Sequence, residues 1–166
     1  MKAIICVAGQ GSRLADYTRE YPKALLPIGK KRLIDYILEA LAASGVTNVI
    51  VVLGYKKESV MSYLGTERGG CAIIYVENEH FNTTDNLYSM WRAREHITDG
   101  MLFVNGDVVF HPDILQKFLS SKPENAVVVD PVNTENNPVC VHIHNGRLHD
   151  IGHEIKHQSY GCVFGL

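Results

Sequence analysis

From Ala3 to Leu119, short apolar runs alternate with amphipathic ones, and that order leaves few folds open. Residues 3–7, 48–53, 72–76 and 101–104 are predicted as strands. The run 48–53 is rich in Val and Ile and lacks polar alternation, as in a strand buried on both faces. Between the strands, residues 33–43 carry Ile34, Ile37, Leu38 and Leu41 at helical spacing. Residues 56–64 predict a helix with Val60, Met61 and Leu64 inward. Residues 85–97 predict another, capped by Thr84 or Asp85, with Leu87, Met90 and Trp91 on one face. A last helix over 112–119 has Pro112 in its first turn. Alternation of this kind implies an α/β fold: a Rossmann-like, mostly parallel sheet with helices on both faces. Ligands of such sheets bind at the carboxyl ends of the strands, near a topological switch.

The character changes after Asn125. Residues 126–129, 139–144, 147–151 and 160–166 predict a short β-rich segment, with Asn145-Gly146 as a hairpin turn. The 166 residues suffice for one domain with a real core. With 46% apolar and 20% charged residues the chain reads as globular, and its net charge of -2 argues against a general nucleic-acid binder. The four cysteines form no C-x-x-C pair, and Cys6, Cys71 and Cys162 sit in apolar runs, as reduced cysteines of a cytoplasmic protein do. No signal peptide or membrane span is predicted. An exposed final strand would offer an edge for pairing with another chain, so a homo-oligomer is compatible with the sequence. His142 and His144 alternate on one strand, followed by His149, His153 and His157. No Cys or carboxylate joins them at a matching short spacing, so they read as a polar strand face rather than a zinc site.

The chemistry concentrates in Ala8-Gly9-Gln10-Gly11-Ser12-Arg13, straight after the first strand. Glycines let backbone approach an anion, and successive N–H groups form a concavity for phosphate. Arg13 adds a bidentate phosphate ligand, and Lys23, behind Pro22, adds a point charge. The dinucleotide fingerprint fails, because Leu14 follows where a third Gly should stand and Lys30-Lys31 occupy the place of the ribose-binding acid. The P-loop pattern fails too, since Gly29-Lys30 is followed by Lys31. A plain turn would need neither Arg13 nor Lys23. Asn105-Gly106-Asp107 follows the fourth strand and supplies either a simple turn or a hard carboxylate for a metal.

Ala8-Gly9-x-Gly11-Ser12-Arg13-Leu14, Thr18 and Pro22-Lys23-x-Leu25-Leu26-Pro27-Ile28 together resemble the signature of the nucleoside-triphosphate nucleotidyltransferases. These comprise the sugar-1-phosphate enzymes and the phosphocholine cytidylyltransferases. The chain departs at Cys6-Val7, where Leu-Ala is common, and at Asp16, where Pro is common. The resemblance implies that Asp107 binds catalytic Mg2+. Asn78 and Asn86-Leu87-Tyr88-Ser89 resemble the phosphocholine-type members more than the sugar-1-phosphate enzymes, implying that Asn78, Asn86 and Ser89 face the nucleotide. Capping of the helix is the alternative use of these residues.

The implied reaction moves a nucleoside monophosphate, CMP by preference, from an NTP to a small phosphorylated acceptor such as phosphocholine, releasing pyrophosphate. Arg13 and the loop amides would hold the β- and γ-phosphates and Lys23 the α-phosphate. Residues 1–124 would form the nucleotide-binding part and 125–166 the start of the acceptor-binding part. Members usually run longer, and their later segment supplies a second metal-binding Asp; Asp130 and Asp150 do not match its position. Two alternatives stand beside this reading: a sugar-1-phosphate nucleotidyltransferase using UTP, dTTP or GTP, and a nucleotide-binding module without turnover.

Overall fold

The computed structural model describes residues 1–121, 124–130, 140–152, 155 and 162–164; at Arg13, Ala15, Asp130 and 162–164 the backbone alone is described. Two compact units follow each other in sequence, Met1–Lys122 and Pro123–Leu166.

The first unit is built on a five-stranded sheet. Its strands are β1 (Lys2–Cys6), β4 (Asn48–Leu53), β5 (Glu67–Arg68), β6 (Cys71–Glu77) and β7 (Met101–Asn105), in spatial order β5-β6-β4-β1-β7. All pairings are parallel except that of the two-residue edge strand β5. A separate ribbon pairs β2 (Pro27–Ile28) with β3 (Lys31–Arg32). The helices are α1 (Ala15–Thr18), α2 (Leu33–Ala43), α3 (Lys57–Leu64), α4 (Asn86–Arg92) and α5 (Pro112–Ser120). The predicted mostly parallel, Rossmann-like sheet is thus present. Ile4, Ile5, Ile50, Val51 and Val52 are buried on both faces of the sheet, and Ile34, Leu38, Leu41, Val60, Leu64 and Leu115 are buried with them.

β1 is the topological switch. The chain runs outward from β1 through β4 to β6, then returns to β7 on the other side of β1. Register fixes the strand ends: Cys6 lies opposite Val52 on one side and Asn105 on the other. The loops after β1 and β7 therefore leave the sheet side by side, at the place where parallel sheets bind ligands.

Three expectations are corrected. Met61 is exposed, and α3 turns inward through Val60 and Leu64. The helix expected over 85–97 ends at Arg92, and a 3-10 turn follows at Arg94–His96. Its buried face is Ser89 and Ala93, with Met90 packed on Ile4, Cys6, Ile50 and Val52, while Leu87 and Trp91 are exposed. Small side chains at 89 and 93 let α4 lie close to β1 and β4, which turns the bulky residues outward.

In the second unit, β8 (Val128–Asp130), β9 (Cys140–His144), β10 (Arg147–Gly152) and β11 (Cys162–Phe164) form an antiparallel sheet in the order β10-β9-β11-β8. Asn145 and Gly146 both take positive φ, 51° and 73°, and close the β9–β10 hairpin as expected. The last described strand is not a free edge, because β11 pairs with both β8 and β9. His153, His157 and Tyr160 lie outside the described residues. Among the described residues, no helix is long and apolar enough to cross a membrane.

Candidate active site

The glycine loop begins where β1 ends. Tyr55 N–H donates to the Ala8 carbonyl at 2.9 Å, and Ala8 itself is buried. Gly9 and Gln10 are exposed. Gly11 takes φ +66°, and a Cβ there would stand 3.0 Å from Thr18 Cγ2 and 3.3 Å from Lys23 Cβ. That site suits glycine alone, because an L side chain would be both strained and crowded. Leu14 N–H donates to the Gly11 carbonyl at 2.8 Å, so Ser12–Leu14 wind into a 3-10 turn that runs on into α1. The Thr18 hydroxyl, buried below, donates to the carbonyls of Leu14 (3.2 Å) and Gly11 (3.4 Å). The side chain of Arg13 lies outside the described residues; its backbone sits in this turn.

Lys23 opens a second 3-10 turn, Lys23–Leu25, whose anchors are the buried Ala24 and Leu25. Arg32 Nη1 donates to the Leu25 carbonyl at 2.8 Å and pins the turn to the start of α2. The backbone of Lys23 is therefore fixed while its ammonium reaches outward. It meets Asp107: Lys23 Nζ lies 2.6 Å from Asp107 Oδ2, with side chains 33% and 44% exposed. Asp107 follows Gly106, whose N–H donates to the Cys6 carbonyl at 3.0 Å. A Cβ at 106 would stand 2.3 Å from Val7 Cγ1 and 2.5 Å from the Cys6 carbonyl oxygen. Glycine at 106 is what lets the Asp107 turn close over the end of β1.

Asn78, Asn86 and Ser89 are placed differently from one another. Asn78 is buried; its amide nitrogen donates to Thr84 Oγ1 and Ser89 Oγ, both at 3.0 Å, and its oxygen accepts from His80 N–H. The Ser89 hydroxyl is also buried and donates to the Asp85 carbonyl. Asn86 is exposed and donates from Nδ2 to Asn105 Oδ1 at 3.0 Å, joining the start of α4 to the end of β7. The cap of α4 is Asp85, which accepts from Leu87 and Tyr88 N–H. Gln10 Nε2 donates to Asn82 Oδ1 at 2.6 Å, tying the glycine loop to the segment before α4. Asn82 and Asn105 as partners escape sequence reading, since neither contact follows from spacing. Lys56 also escapes it: its Nζ donates to the carbonyls of Arg19 and Glu20, bracing the segment between Thr18 and Lys23.

The arrangement can hold charge, and its buried cysteine is not poised as a nucleophile. Burial pushes the Cys6 thiol up to about 12, more than its hydrogen bond with Ser89 lowers it, so it stays protonated at neutral pH. Asp107 offers one hard carboxylate at a half-exposed turn, a donor that fits Mg2+ sharing its shell with phosphates and water. Among the described residues, no cluster of three or more ligating side chains gathers around it.

The profile of the MobA-like NTP transferase domain matches residues 3–160. The chain belongs to that family. It is 37% identical over 128 residues to CMP-5'-(3-aminopropyl)phosphonate synthase of Streptomyces rubellomurinus, a match covering 77% of this chain and 20% of that protein. It is 30% identical over 136 residues to CTP:phosphoglutamine cytidylyltransferase of Campylobacter jejuni, covering 78% of this chain and 53% of the relative. Among solved structures it resembles one from Bacillus anthracis assigned as a glucose-1-phosphate thymidylyltransferase, in complex with sucrose. That superposition has a TM-score of 0.83 at 23% identity, covers 99% of this chain and 69% of the other, and speaks for the fold alone. This NTP transferase domain thus spans about half the length, or less, of the two curated relatives.

Proposed function

We propose that this domain transfers a nucleoside monophosphate, CMP by preference, from an NTP to a small phosphorylated or phosphonylated acceptor. The observation that carries the reading is the meeting of Lys23 and Asp107 at 2.6 Å across 84 residues of sequence, beside a glycine loop at the switch point of a parallel sheet. A cation and a carboxylate on that rim suit a triphosphate and its metal. The preference for CMP rests on the stem Asn78 with Asn86-Leu87-Tyr88-Ser89 and on two relatives named for CMP or CTP.

The chemistry is an in-line exchange at phosphorus. An acceptor phosphate or phosphonate oxygen forms a bond to the α-phosphorus, the bond from that phosphorus to the bridging oxygen breaks, and pyrophosphate leaves with the bonding pair. Such transfers depend on positioning and charge neutralisation. The amides of residues 8–13 and the Arg13 guanidinium hold the β- and γ-phosphates. Lys23 opposes the negative charge that grows at the α-phosphate. Asp107 holds Mg2+, which when bound neutralises phosphate charge. Asn86 faces the nucleotide, and the buried Asn78 and Ser89 set the loop and helix that present it. The location expected is the cytoplasm, where NTPs are held.

The test is pyrophosphate release with Mg2+, crossing CTP, UTP, dTTP, ATP and GTP with phosphocholine, a phosphonate and a set of sugar 1-phosphates. Release with CTP and a non-sugar acceptor supports the reading. Release only with a sugar 1-phosphate moves it to the sugar-nucleotide branch, and CTP bound without release makes this chain a binding module. Lys23→Ala should lower turnover by about 100-fold or more, as the loss of a charge-stabilising donor does. Its stability should hardly change, because a half-exposed pair contributes about 0–1 kcal/mol. Wild-type turnover in Lys23→Ala refutes the role given to Lys23.

A further inference from the structure

We propose that His142, His149 and Asp150 form a binding site for a first-row divalent cation, Zn2+ foremost, with one coordination position left open. The site is a product of strand pairing. In β9–β10, Leu148 lies opposite Ile143 and Asp150 opposite His142, so the register slips by one at His149. Successive residues of a regular strand point to opposite faces, which would part His149 from Asp150. A bulge sets two residues of one strand against a single residue of the other and re-aims their side chains. Here both members of the bulged pair come to His142. The imidazoles of His142 and His149 have centroids 5.5 Å apart, and His149 Nδ1 lies 3.7 Å from Asp150 Oδ2. One ligating atom from each of the three side chains falls within 4.8 Å of the others.

The donor set selects the metal. Two imidazoles and one carboxylate suit zinc and its neighbours, whereas Mg2+ takes oxygen ligands. Bonds of the usual length in a tetrahedral shell place neighbouring ligands about 3.4 Å apart. His149 and Asp150 are 68% and 69% exposed, so their side chains are free to swing in by the difference. His142, half-buried on the inner strand of the pair, is the fixed member. Three protein ligands leave the fourth position to water or to an anionic oxygen. The sequence hides this site, because the carboxylate joins the histidines only through the bulge.

The experiment is titration of the chelator-treated chain with ZnCl2 by calorimetry, and with Co2+ by visible spectroscopy. One equivalent of Zn2+ should bind, and excess Mg2+ should not displace it. Co2+ should give the visible bands of a four-coordinate nitrogen and oxygen shell. His149→Ala and Asp150→Asn should each weaken Zn2+ binding at least about 10-fold, since even residues behind a metal ligand commonly cost that much. Both positions are exposed, and an unchanged far-UV circular dichroism spectrum confirms that the variants fold. Equal affinity in wild type and both variants, no binding in the wild type, or a thiolate-to-cobalt charge-transfer band each overturns the proposal.

Discussion

Asp35 is a buried acid held by three donors: the Arg32 N–H at 2.9 Å, the Tyr63 hydroxyl at 2.6 Å and Arg68 Nε at 2.6 Å. The Arg68 guanidinium also stacks over the Tyr63 ring, 3.7 Å from its centroid. Burial alone would push the Asp35 carboxyl up. The hydrogen bonds from Arg68, Tyr63 and the Arg32 backbone outweigh it and hold the group below its ordinary value. The sign follows directly: with the folded pKa lowered, the carboxylate stabilises the fold fully above its ordinary value, and that contribution is lost as pH falls through the folded one. Asp35→Asn should therefore be less stable than wild type by about 2–4 kcal/mol near pH 6, with the gap closing as the pH falls below the ordinary carboxylate range. Urea midpoints of both proteins across that range measure it, and a gap independent of pH would contradict the assignment. None of this is legible in the sequence beyond the helix itself, because 28 and 33 residues separate Asp35 from Tyr63 and Arg68. Lys23 and Asp107 were legible for the opposite reason: each sits in a motif, and the strand ends alone put both motifs on one rim.

At the scale of elements, the strand ends carry the site, and Gly106 shows how tightly. The carbonyl that a Cβ would meet at 2.5 Å accepts the hydrogen bond from Gly106 itself, so it cannot turn aside while β1 and β7 stay paired. Gly106→Ala should lose about 1–3 kcal/mol through forced backbone shifts and carry Asp107 away from Lys23. Thermal unfolding and pyrophosphate release should both fall. Gly9→Ala, with nothing within 4 Å of the added carbon, should unfold close to wild type. Wild-type stability and turnover in Gly106→Ala would show that the strand ends tolerate more than this packing allows. The same buried strands explain what the sequence could show. The sequence defines β4 and α2 to the residue, because β4 is an unbroken apolar run buried on both faces and α2 carries a long apolar stripe along one. The two-residue strands β2, β3 and β5 have no period to detect. In α4 the pattern points inward correctly at Met90 but not at Leu87 and Trp91, which are exposed while the small Ser89 and Ala93 are buried in their place.

At the scale of the whole molecule, the two proposed ligands belong to different compact units. Every residue assigned to the nucleotide, from Ala8 to Asp107, lies in Met1–Lys122, and the three proposed zinc ligands lie in Pro123–Leu166. A ligand that binds only the folded state stabilises it by mass action, about 2.7 kcal/mol at a hundredfold excess over the dissociation constant. CTP with Mg2+ should therefore raise the melting temperature of the wild type, and raise it less in Lys23→Ala. Hydrogen exchange then locates the effect, because amides report local opening as well as global unfolding. CTP with Mg2+ should slow exchange in residues 8–13 and 105–107, and leave the β9–β10 hairpin little changed. Zn2+ should slow that hairpin, including residues 142–150, and leave the glycine loop little changed. Protection by CTP confined to the hairpin would place the nucleotide in the wrong unit. The pairing of the two ligands matters, since a merely tighter global fold would slow both regions with either one.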